Sequence, residues 1–183
     1  MLEVLFNLSD VAIAGKYADY IALGAVGSTA LLVSLFTGIL IGMGAGVNVR
    51  TAHQLGAEKT SGSSETVART VYSGLIVCLI IGIILCLVCN IFSRPMLETL
   101  KTKDELIESA VLYLKIYALG MPAMAVYNFG NGVLSACGET KKPLVYLSIA
   151  GVLNVILNIF FVVVCKKAAD GVAIASVIAQ YLS

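Results

Sequence analysis

The chain has 183 residues, 59% of them hydrophobic and only 13% charged, with a formal net charge of +1 and a mean hydropathy of +0.96. Soluble domains carry ~25% charged residues, so too little polar surface exists here to cover a water-facing globule, and lipid is the expected solvent. No basic tract supports nucleic-acid binding. No Ser/His/Asp set, phosphate-cradling glycine loop or pair of catalytic acids supports an enzyme.

Charged residues punctuate the chain into helical runs. Residues 1–15, ahead of Lys16, read as a partial span that contains Glu3 and Asp10. Uncharged runs then cover 20–49, 70–93, 116–138 and 143–165, each at or above the ~20 residues that a helix needs to cross the hydrocarbon core. The expected spans are 20–52, 66–92, 106–137 and 143–165, and residues 170–183 read as a further partial one. None of these runs shows the alternating ~10-residue pattern of a membrane β-barrel. The expectation is an all-α membrane protein: one unit of six helices, residues 1–183, with its first and last helices incomplete.

The connections are short and polar. Residues 56–64 join the second and third spans. Residues 93–108 follow the third, with Pro95 after a helix end and Thr102-Lys103-Asp104-Glu105 spaced as a capping box. Glu139 to Pro143 link the fourth and fifth, with Pro143 placed to open a helix. Leaving aside Lys115, inside the span 106–137, Lys and Arg number six on one side of the membrane and five on the other, which leaves the orientation open.

Asp10 is flanked on both sides by apolar, helix-like sequence. A charge at membrane depth costs ~2.5–3.5 kcal/mol on insertion scales, so it either faces a cavity or partner, where it can handle an ion or a proton, or lies near an interface. In the second span, Gly38, Gly42 and Gly46 stand four apart, a small-residue pattern that predicts tight helix packing. Cys86-x-x-Cys89 sits among Ile, Leu and Val, and reads as small buried hydrophobes rather than a metal or redox site. His53, the single histidine, has no ligand cluster around it in the sequence.

Pro122 lies inside the fourth span and predicts a kink there, with Asn128 and Asn131 following among small residues. In the fifth span, Asn154 and Asn158 stand four apart, so both amides share a helix face. Their carbonyls are hard oxygen ligands suited to a small cation, and equally suited to helix–helix hydrogen bonds.

Four segments in order carry a family resemblance: Ala22-Leu-Gly-Ala-Val-Gly27, Gln54-Leu-Gly-Ala57, Asn128 through Gly138 to Pro143, and Asn154-x-x-x-Asn158. Together they resemble the N-terminal half of the multidrug and toxic compound extrusion (MATE) transporters, over almost the whole chain. The resemblance implies one lobe of a twelve-helix antiporter in a cell membrane, whose two lobes open alternately. It implies export of small amphipathic or cationic compounds, with Na+ or H+ as coupling ion, no cofactor, and the C-terminal lobe of the same transporter as partner. It also implies a cation site at Asp10, Asn154 and Asn158, with Asn131 or Asn128, and with Ser176 where the family often has threonine. Ser135 departs from the basic residue that many relatives carry near the end of the fourth helix. The same resemblance would place 56–64 and 139–143 in the cytoplasm. Two other readings stay open: a lipid-linked oligosaccharide flippase of the same superfamily, and a non-transporting membrane scaffold.

Overall fold

The computed structural model describes the backbone of residues 2–61 and 65–183 and the side chains of 8–58 and 67–183. Among them the chain is helical and has no strand. The helices are α1 (Leu2–Tyr17), α2 (Tyr20–Ser61), α3 (Glu65–Thr99), α4 (Asp104–Ala118), α5 (Met121–Ala136), α6 (Lys141–Ile159) and α7 (Ala169–Leu182). A wide π-helical turn, Phe160–Val164, prolongs α6. Tyr20–Glu58, Val67–Thr99 and Lys141–Val164 are long and apolar enough to cross a membrane, and α4 with α5 makes a fourth such unit with a 45° bend.

Seven α-helices thus stand among the described residues where six were expected, because the fourth span breaks. Pro122 is the second residue of α5 and has no N–H to give the carbonyl of Ala118, where α4 ends. The expected kink is a full break at Leu119-Gly120. The side-chain amide of Gln180 from α7 packs directly over Gly120, where a Cβ would displace it.

The helix ends differ from expectation in three places. α2 continues through the expected connection as far as Ser61, and residues 62–64 lie outside the described ones. Pro95 sits inside α3, one turn from its end, where it removes a single ladder bond to Ile91. The capping box does not form. Lys103 is the N-cap of α4 with no side-chain cap, and Asp104 and Glu105 face the positive end of the helix dipole instead.

Apolar side chains fill the interior and also coat the outside. In the apolar stretch of Val67–Thr99 only 17% is buried, and Ile76, Ile80, Ile83, Leu87 and Ile91 point outward. Such an exterior is stable against acyl chains and not against water. The ion pairs lie at helix ends: Arg94 with Glu98 and Glu108, Lys103 with Glu105, Lys142 with Glu139, and Lys167 with Asp170. The chain is therefore a multi-pass membrane protein. Cys78 and Cys89 are buried, Cys86 is half-buried and Cys137 and Cys165 are exposed, all as free thiols. His53 is exposed, and among the described residues no group of three His, Cys, Asp or Glu side chains could hold a metal.

The glycine spacing in α2 misidentifies the packing face. Gly38, Gly42 and Gly46 are exposed, and a Cβ on any of them would meet nothing within 4 Å. The buried stripe is Thr29, Val33, Phe36, Leu40, Gly44 and Thr51. Gly44 stands two residues from Gly42 and Gly46, or about 200° around the helix. Gly42→Ala is accordingly expected to keep thermal stability or raise it by up to about 1 kcal/mol, measured by melting of the detergent-solubilised protein. A drop comparable to that of a core substitution would put Gly42 on a packing face after all.

Candidate functional site

Three buried stripes converge on one carboxylate. α1 buries Asp10, Ile13 and Ala14, at spacings of three and four. α6 buries Pro143, Leu147, Ala150, Asn154 and Asn158 in a single stripe, so both amides face inward while the rest of that helix faces lipid. α7 buries Ala173, Ala175, Ser176 and Ala179, small residues that let its backbone come close to its neighbours.

Asp10 is 1% exposed. Ser176 Oγ donates to its Oδ2 at 2.6 Å, and Asn158 Nδ2 donates to its Oδ1 at 2.6 Å. Asn158 Nδ2 also donates to Asn154 Oδ1 at 3.2 Å, and Asn154 Nδ2 donates to Ser176 Oγ at 3.1 Å, which closes a ring of polar groups. A fourth helix contributes Tyr113, whose hydroxyl donates to Asp10 Oδ2 at 3.4 Å. Its ring stacks on Tyr117 with centroids 6.0 Å apart, which fixes its direction.

Two features give this cluster chemical meaning. Asp10 has no cationic partner among the described residues. Asn158 Oδ1, beside it, is a buried acceptor with no donor. A buried carboxylate is ordinarily paired with a charge, and a buried carbonyl is ordinarily hydrogen-bonded. The donor set also fits a small hard cation: a carboxylate, two amide carbonyls and two hydroxyls, all oxygen.

Of the residues singled out in the sequence, Asp10, Asn154, Asn158 and Ser176 come together. Asn128 and Asn131 are not among the hydrogen-bond partners of Asp10. Asn128 Nδ2 donates to Met124 O at 2.9 Å, and Asn131 Oδ1 accepts from Ser135 Oγ at 3.4 Å. The reason is the break in the fourth span: α5 packs against α2 and α3, while α4 turns Tyr113 toward Asp10. Tyr113 was missed by sequence reasoning. The available signal was its i, i+4 spacing with Tyr117, on the face that also buries Leu106 and Ala110.

Asn131 instead lines a cavity of about 570 Å³ between α3, α5, α6 and α7, with Pro122, Tyr127, Tyr146, Gln180 and Tyr181. Gln180 is one helical turn beyond Ser176, so one face of α7 joins the carboxylate cluster to this cavity. Its Oε1 is another buried acceptor with no partner.

The MatE family model matches residues 1–160. The probable multidrug resistance protein YpnP of Bacillus subtilis is 28% identical over 98% of this chain, and a FAD transporter of Shewanella oneidensis is 25% identical over 84% of it. The chain spans 39% of the length of the first and 33% of the second. Among solved structures, a MATE protein in the bent conformation superimposes with a TM-score of 0.92 at 22% identity, over 99% of this chain and 39% of that one. An inward-facing multidrug resistance MATE transporter superimposes with a TM-score of 0.88, again at 22% identity, over 97% and 39%. At that identity these structures establish a shared fold.

Proposed function

The chain belongs to the MatE family, and from that premise we propose that it forms one lobe of a cation-coupled antiporter exporting amphipathic, often cationic, compounds across a plasma membrane. The observation that carries the reading is Asp10, a fully buried carboxylate with hydrogen-bond donors but no counter-charge. Either a proton or Na+ supplies that charge. Asn154, Asn158, Ser176 and Tyr113 complete the shell. The amide of Asn158 turns when the cation arrives, so that Oδ1 faces the site in place of Nδ2.

Substrate occupies the cavity lined by Tyr127, Tyr146 and Tyr181, whose rings suit an organic cation, with Asn131 and Gln180 as polar contacts. α7 links the two sites: Ser176 moves with the cation and Gln180, on the same face, borders the substrate. A second lobe of comparable length is the required partner, because alternating access needs two halves that move against each other.

The test uses the full-length protein in vesicles. Efflux of a cationic dye under an imposed Na+ or pH gradient is expected to lose its gradient dependence in Asp10→Asn. Undiminished coupled efflux in that variant would sink the assignment, whereas no dye movement by the unsubstituted protein would favour the scaffold reading.

A further inference from the structure

Away from the carboxylate cluster, a second cavity of about 670 Å³ opens along the seam of α2 and α3. Its walls change character along its length. At one end stand Arg50, Gln54 and Arg69, and at the other Met43, Val77 and Cys78. The helices are antiparallel, so Arg50, late in α2, and Arg69, early in α3, share the end nearest the membrane surface. The distance from Met43 to Gln54 along α2 is about 16 Å, roughly half a bilayer core.

Three observations point to a ligand. Neither arginine has a carboxylate partner among the described residues. Thr51 lines the cavity, is 1% exposed, and its hydroxyl has no hydrogen-bond partner. Gly46 leaves the middle of the wall open, since a Cβ there would touch nothing within 4 Å.

We propose that this cavity is a binding site for an anionic phospholipid, with its phosphodiester held by Arg50 and Arg69 and the start of an acyl chain laid along Gly46, Val47 and Val77. Guanidinium groups match phosphate oxygens bidentately. The Thr51 hydroxyl supplies one more donor, and basic pockets between spanning helices suit anionic headgroups. The polarity gradient favours a lipid over free phosphate, because a bare anion uses only the arginine end. The seam is separate from the Asp10 cluster, so this site stands or falls independently of the transport reading.

The full-length protein is placed in nanodiscs of phosphatidylcholine doped with phosphatidylglycerol, and the lipid retained on release is measured by native mass spectrometry. Preferential retention of phosphatidylglycerol is expected to fall about thirty-fold in R50Q/R69Q, from about five-fold per arginine at an anionic surface. K141Q/K142Q removes two charges at the same membrane face outside the cavity and is expected to leave retention nearly unchanged. Equal losses in the two double variants would reduce the effect to diffuse surface charge and overturn the site. Gly46→Leu fills the seam with all charges in place, and is also expected to lower retention. An unchanged result there would overturn the acyl-chain half. Excess inorganic phosphate is expected not to displace the lipid, and full displacement would replace it with a free-anion site. Melting in phosphatidylcholine alone checks that each variant is folded. Should R50Q/R69Q not fold, the single variants R50Q and R69Q decide the headgroup half: each is expected to lower retention about five-fold, and no change in either would overturn it.

Discussion

Replacing Asn158 by leucine is expected to destabilise the full-length protein by about 2–5 kcal/mol, and adding Asp10→Asn is expected to recover most of that loss. The single change deletes the 2.6 Å donor to Asp10 Oδ1 and the 3.2 Å donor to Asn154 Oδ1. Ser176 and Tyr113 both donate to Oδ2, so Oδ1 is left buried without the hydrogen bond it now accepts. Breaking one partner of a buried charge leaves the full desolvation penalty of that charge behind, whereas removing the charge as well does not. Thermal melting in detergent, read as a double-mutant cycle, gives the coupling directly. A parent-like melt for Asn158→Leu, or no recovery in the double variant, would mean that Asp10 is not held by this amide. The recovered double variant should still lack ion-driven dye efflux, which separates the structural role of the cluster from its proposed role in coupling.

Most of this cluster is legible in the amino-acid sequence. A carboxylate between apolar segments is conspicuous because membrane-buried charge is rare, and two asparagines four apart must share a helix face whatever the tertiary fold. The spans are legible for the same reason: scarcity of charge makes each charged residue a boundary marker. The pairing of helices across the interior is not. Asn128 and Asn131 look as apt as Asn154 and Asn158 in the sequence, but the break at Gly120 gives α5 a different direction from α4 and takes both amides away from Asp10. Tyr113 takes that place; its spacing with Tyr117 marks a buried helix face but not that this face meets α1. Which helix half meets α1 depends on contacts more than 100 residues apart in the chain.

The glycines of α2 show the same limit at higher resolution. A four-residue spacing identifies a stripe of small side chains but not the direction it faces. Gly38, Gly42 and Gly46 satisfy the spacing and face outward, while Gly44 satisfies no spacing and carries the contact. A small residue at a packing seam is informative only when a backbone lies opposite, and that is a property of the partner helix.

Across that seam stands Gly132 of α5, whose replacement by alanine is expected to lower stability by about 2–4 kcal/mol. A Cβ on Gly132 would land on the carbonyl oxygen of Gly44, closer than any nonbonded contact allows. Backbone cannot rotate out of the way as a side-chain tip can, so α2 and α5 must separate. Separation also stretches the hydrogen bond from Asn48 Nδ2 to Gly132 O, now 3.2 Å. Gly130, two residues earlier in the same helix, has open space at its Cβ position, so Gly130→Ala is expected to match the parent or exceed it by up to about 1 kcal/mol. Both changes add one methyl group to one helix, and differ only in what faces it. Melting of the two variants side by side therefore reads the close approach of α2 and α5 itself. Equal melting temperatures would show that the two helices can part at this seam at little cost.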